Sequence, residues 1–201
     1  MHPLTALLTL STLLPTALTQ YANLNTSQEY NLRTCLKPNQ PGKERFENLW
    51  LSTFHIGAAQ SDAVFLPDRT NTTPAAFLTP SNTTAVGSDA SYSQAFDLGN
   101  PVPWQFVMAT NVNGYANWEP VRVFAGLGAS SQASAYQTGG FFLNETGLQW
   151  GALGGFPGWI VCDRWHGLPQ LFFHDNSDFG LYGVGTLPCS CADVNLMPEY
   201  I

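Results

Sequence analysis

Ionic side chains are scarce in this chain. Asp, Glu, Lys and Arg together make up 10% of its 201 residues, against about a quarter in an average soluble domain. Only seven are Lys or Arg, against 14 Asp plus Glu, for a net charge of −7. A surface so poor in cations repels phosphate backbones, so no nucleic-acid partner is expected. Anionic membrane surfaces are disfavoured on the same ground. Long apolar runs are missing too. Beyond Leu18 no stretch approaches the roughly 18 consecutive apolar residues that a membrane helix requires. Helical periodicity is equally hard to find, because 18 glycines and 14 prolines are scattered through the chain. No window of about 15 residues keeps an apolar helical period free of them.

Catalytic signatures are also lacking. There is no Gly-x-Ser-x-Gly elbow, and the nearest stretch, Gly126-Leu127-Gly128-Ala129-Ser130, has the wrong spacing. No His-Glu-x-x-His or His-x-His occurs, so neither a metal nor a cofactor is expected.

What is present begins with Leu4 to Leu18, apolar except for threonines, one serine and Pro15. The run is short for a bilayer span and leads into small residues, the layout of a secretory signal. Ala17 and Thr19 fit the −3 and −1 positions of a processing site, so residues 1–19 are read as a signal peptide. Residues 20–201 then form one domain, large enough for a single core. Export makes that domain extracellular, with no membrane association once the signal is gone. Four Asn-x-Ser/Thr sequons, at Asn25, Asn71, Asn82 and Asn144, become glycan acceptors in that compartment.

Four cysteines in an exported chain mean two disulfides. A bridge between Cys189 and Cys191, two residues apart, is strained, so each joins Cys35 or Cys162. Both of those pairings remain open on spacing alone.

Strand-like alternation recurs along the domain. Tyr30, Leu32, Thr34 and Leu36 share one face; so do Val102, Trp104, Phe106 and Met108, and again Val121, Val123 and Ala125. Further strands are expected at 49–56, 63–66, 92–98, 140–144, 148–150, 159–163, 170–174, 181–184 and 194–200. Residues 141–150 and 159–173 read as two hairpins, neighbours in one sheet, the first closed by Gly147 in a φ > 0 turn. Residues 67–91, rich in Thr, Asn, Ser and Pro, read as a long glycosylated loop with at most one edge strand. Residues 126–138 read as a second loop. The fold class is all-β, an antiparallel sandwich or closed barrel of about ten short strands with little helix beyond the signal.

The C-terminal half carries a pattern: Phe141-Phe142-Leu143-Asn144-x-Thr146-Gly147-Leu148-Gln149-Trp150, then Gly158-Trp159-Ile160-Val161-Cys162-Asp163-x-Trp165-His166-Gly167-x-Pro169-Gln170-Leu171-Phe172, and a terminal Pro198-Glu199-Tyr200-Ile201. It resembles secreted fungal proteins of an uncharacterised domain family, over most of the mature chain including 46–62. More distantly, over about the last 65 residues, it is similar to the fungal cell-wall protein associated with phialide and conidium development. The resemblance implies an extracellular β-fold, wall association or release, and no catalytic residues to carry over. It also implies a Cys162–Cys191 bridge, which leaves Cys35–Cys189.

The segment richest in chemistry is Asp163-Arg164-Trp165-His166-Gly167, with His174-Asp175 one strand later and Asp178 beyond. A hairpin can bring Asp163 to His166, or His174 to Asp175 or Asp178, as a general acid/base pair for a hydrolase. The simpler reading is a turn in which Asp163 accepts backbone N–H bonds, and it is favoured because no nucleophile stands beside it. Of the six tryptophans, Trp104, Trp150 and Trp159 fall on alternating strands and are expected in the core. Trp118 and Trp165 lie near turns and, with His166, are the candidates for ligand binding. The expected function is that of a secreted, non-enzymatic glycoprotein with a structural or interaction role at the cell wall. The alternatives are a β-barrel that binds carbohydrate or another small ligand, and an extracellular hydrolase using Asp163 and His166.

Overall fold

The computed structural model describes residues 28–81, 92–110, 112, 117–127, 136–151, 155–164, 167–174 and 187–201. Thirteen strands follow one another: β1 (Tyr30–Leu36), β2 (Trp50–Gly57), β3 (Gln60–Leu66), β4 (Ala75–Pro80), β5 (Tyr92–Asp97), β6 (Trp104–Ala109), β7 (Trp118–Ala125), β8 (Tyr136–Gln137), β9 (Phe141–Asn144), β10 (Gly147–Trp150), β11 (Trp159–Asp163), β12 (Pro169–His174) and β13 (Cys191–Tyr200). One turn of 3-10 helix, Glu44–Phe46, interrupts them. The expected strand at 181–184 lies outside the described residues.

Nine strands close on themselves in the circuit β1-β13-β11-β12-β3-β7-β6-β5-β4, with β4 returning to β1 through Tyr30 and Ala76. All pairings are antiparallel, so the all-β expectation resolves into a closed barrel. The remaining strands are appended to it. β2 lies on β3, β8 on β6, and the β9–β10 hairpin meets β5 where Tyr92 faces Phe141.

Closure follows from alternation. Every second side chain of each stave points inward, and these positions carry Phe65, Phe96, Phe106, Trp159 and Phe173, joined by Phe141 and Trp150 of the appended hairpin, all nearly solvent-free. The rings meet one another, Phe96 on Phe106 at 4.7 Å and Phe106 on Trp159 at 6.4 Å between centroids. Each fully buried Phe contributes about 2–3 kcal/mol through removal from water. The two indole N–H groups do not go unpaired, since Trp159 donates to the Leu148 carbonyl at 2.6 Å and Trp150 to that of Gly139 at 3.0 Å. Tyr30 donates to Gln94 Oε1 at 2.6 Å inside the barrel, and burial pushes its hydroxyl pKa well above the ordinary value.

Three sequence expectations change. Residues 75–80 form β4, a stave paired on both sides with Ala76 and Phe77 buried, and not an edge strand in a loop. The two C-terminal hairpins are not hydrogen-bonded neighbours. β13 fills the place beside β11, and the β9–β10 hairpin joins the sheet elsewhere. Finally, Cys162 and Cys191 are bridged, but Cys35 and Cys189 are free. Cys35 faces Asn195, four residues along β13 from Cys191, a separation of roughly 13 Å at strand rise. Cys189 lies beyond Cys191 in a turn, so the pair exceeds the ~7 Å Cα limit for a bridge.

Candidate functional site: a polar cleft at the barrel mouth

The inward alternation that builds the core changes character at one end. Along β2 the inward series runs Leu51, Thr53, His55; along β3, read backwards, Phe65, Ala63, Ser61. On β5 it passes from Phe96 to Leu98 just beyond the strand, and on β6 from Phe106 back to Trp104. Large apolar residues give way to hydroxyls and an imidazole, so the core face emerges into a cleft of about 550 Å³. That volume falls within the range of small-molecule sites, about 300–1,000 Å³.

The opening has a topological cause. β1 gives one edge to β13 along its full length and divides the other, Tyr30 pairing with Ala76 of β4 and Arg33 with Trp50 of β2. β2 and β4 diverge from this point, and the cleft lies between them. Two turns complete the rim. In the first, Thr73 N–H donates to the Thr70 carbonyl at 3.1 Å and Thr70 N–H to Thr73 Oγ1 at 2.9 Å, which presents Asn71 and Thr72 outward. In the second, Gly99 N–H donates to Asp97 Oδ1 at 2.7 Å, with Gly99 at φ 75°.

Trp104 packs its body against the core and remains half-exposed toward the cleft. Around it stand Thr53, Ser61 and Asn100, with His55 and Asp97 as the titratable groups among the lining residues. An aromatic side chain in the company of hydroxyl and amide groups suits a neutral, polyhydroxylated ligand whose ring has one apolar face. Among the described residues no group of three His, Cys, Asp or Glu could hold a metal ion.

A family model described as a domain of unknown function, DUF7907, matches residues 27–200. The chain belongs to this family. The matched span runs from before β1 to the last residue of β13, so the DUF7907 domain and the closed barrel with its appended strands are one unit. No curated protein and no solved structure matches the chain.

Elsewhere on the DUF7907 barrel the residues singled out from sequence fall into separate places. The Asp163 carboxylate is held by Arg45, whose Nη2 and Nε lie 2.8 and 3.1 Å from Oδ2. His166 and Trp165 lie outside the described residues, as do Asp175 and Asp178. His174 finds Asp193, its Nε2 at 2.7 Å from Oδ1, and this hydrogen bond holds the Asp193 pKa below the ordinary carboxylate value. Gln40 clasps the same strand by donating to the Asp193 carbonyl and accepting from the Asp193 N–H, both at 2.8 Å.

Trp118 stacks edge-on against Phe172 at 4.9 Å, with the Arg164 guanidinium 5.4 Å from its ring centre. Phe172 belongs to a second apolar cluster on the outer face of the barrel, with Ile160, Cys162 and Cys191, against which Trp118 packs. Trp118 is thus engaged over the disulfide. Asn71 and Asn144 are exposed, the first on the cleft rim and the second in the β9–β10 turn, where its Oδ1 accepts the Thr146 N–H at 2.9 Å. Asn25 and Asn82 lie outside the described residues.

Sequence alternation assigned Trp104 to the core and missed the cleft. The available signal was the substitution of Thr53, His55 and Ser61 at inward positions, which a reader seeking core residues passes over.

Proposed function

We propose that this DUF7907 member is an exported, non-enzymatic glycoprotein of the cell-wall space whose barrel mouth binds carbohydrate. The observation that carries the reading is the cleft itself, about 550 Å³ with half-exposed Trp104 among hydroxyl and amide groups. Filled inward positions along the staves favour a ligand at the mouth over one enclosed in the barrel. Glycoside hydrolysis needs two facing carboxyl groups, whereas among the described residues the cleft lining carries one, Asp97. Asp163, the carboxylate of the hydrolase alternative, is committed to Arg45. Both facts favour binding over turnover.

Export is supported by the apolar leader at 4–18, by the Cys162–Cys191 bridge and by the exposed sequons at Asn71 and Asn144. The resemblance of the C-terminal pattern to secreted fungal proteins supports the wall as the place of action. The test is retention on insoluble chitin and β-glucan, together with titration of soluble oligosaccharides followed by tryptophan fluorescence. Retention and a saturable signal are expected. Failure to bind either polymer or any oligosaccharide overturns the reading.

A further inference from the structure

Asn71 is both a cleft-lining residue and the acceptor of an Asn71-Thr72-Thr73 sequon, and it is exposed. A glycan there starts at the rim of a cavity whose lining includes Trp104. We propose that the first N-acetylglucosamine residues of an Asn71 glycan fold back into the cleft and regulate access to it. The proposal rests on the carbohydrate-binding reading of the cleft, and it names an N-acetylhexosamine as the sugar class admitted.

Two observations single out Asn71. The turn that presents it is fixed by the Thr70–Thr73 hydrogen bonds, so the attachment point does not wander from the cleft. Asn144 is equally exposed, but it sits in the β9–β10 turn and does not line the cavity. Geometry therefore distinguishes two otherwise equivalent sequons.

Tethering supplies the driving force. A sugar attached at the rim through one side chain is held at an effective concentration in the mM range. A weak saccharide site, with Kd of about 1 mM, is then about half-filled or more by its own glycan. Free ligand must displace this resident, so its apparent affinity falls at least about twofold. Trp104 provides the stacking face for the sugar ring, and Thr53, Ser61 and Asn100 provide hydroxyl and amide partners for its polar edge.

The experiment compares the secreted, glycosylated protein with Asn71→Gln, and uses Asn144→Gln as the control sequon. Peptide mass spectrometry first measures occupancy at Asn71. Titration with N,N′-diacetylchitobiose then measures affinity, and NMR looks for cross-relaxation between glycan protons and the Trp104 indole. The expected result is an occupied Asn71, a glycan–Trp104 contact, and at least a twofold gain in chitobiose affinity in Asn71→Gln but not in Asn144→Gln. An unmodified Asn71, or a modified one with neither contact nor affinity change, overturns the proposal while leaving the polymer-retention test of the cleft intact. A glycan–Trp104 contact in a protein that binds no polymer supports the proposal and removes the wider function.

Discussion

Cys162 and Cys191 occupy directly opposed positions on β11 and β13, their Cα atoms 4.0 Å apart. The bridge therefore joins two staves already in register, on the outer face, beneath Trp118 and Arg164. It closes a loop of 29 residues. For a loop of that length the chain-entropy estimate is about 3–4 kcal/mol. Replacing both cysteines by Ala is expected to lower unfolding free energy by about that amount, measured by urea titration. Thiol titration of the denatured, unreduced protein is expected to find Cys35 and Cys189 reactive and the other two blocked. Four blocked thiols would restore a second bridge.

Trp104 and Trp118 are expected to part company under mutation. Trp104→Ala should weaken saccharide binding by about tenfold, the loss of one stacking surface of about 1.4 kcal/mol. Trp118→Ala should leave binding unchanged and lower stability by about 2 kcal/mol, because the outer-face cluster loses its cover. Calorimetric titration and thermal melts on the same two proteins read both effects.

Gly147 has φ 93°, and a Cβ there would run into the Leu196 carbonyl of β13. Gly147→Ala combines a left-handed penalty with a backbone collision, and is expected to cost at least about 2 kcal/mol. Gly99→Ala has the same sign of φ but open space around it, and is expected to cost only about 1 kcal/mol. A difference between the two melts isolates the collision.

Asp193 contributes to acid stability. Its pKa is lowered in the folded state, chiefly by the hydrogen bond with His174. The stabilisation is thus fully present above the unfolded carboxylate value of about 3.9 and is lost as pH falls through the lower folded value. Asp193→Asn should flatten the decline in stability below about pH 4, and His174→Ala should flatten it similarly. Denaturant midpoints between about pH 2 and about pH 6 measure the slope.

The local elements could be read from the chain, because alternation is a property of neighbouring residues. Trp159–Asp163 has the limits expected for it, and Gly147 adopts the positive φ expected for its turn. β4 was obscured by composition: preceded by Pro74, ended by Pro80 and half made of Ala and Thr, it resembles a loop until its partners on β1 and β5 are known. Strand order escapes any local pattern, which is why two hairpins adjacent in sequence were expected to be adjacent in the sheet. The cleft was hidden for a related reason. Alternation tells which face Trp104 occupies, but not its height along the barrel axis, and height separates a core indole from one at the mouth. Trp118 shows the converse, since its closeness to a turn suggested exposure until Phe172 and Arg164 were seen around it.

The stave β13 holds β1 along seven residue pairs on one side and β11 on the other. In order of synthesis it comes after every other strand described. A nascent barrel made N-terminus first thus waits as an open curl, with the flanks of β1 and β11 unsatisfied, until β13 is complete. Loss of residues 191–200 would make that passing state permanent.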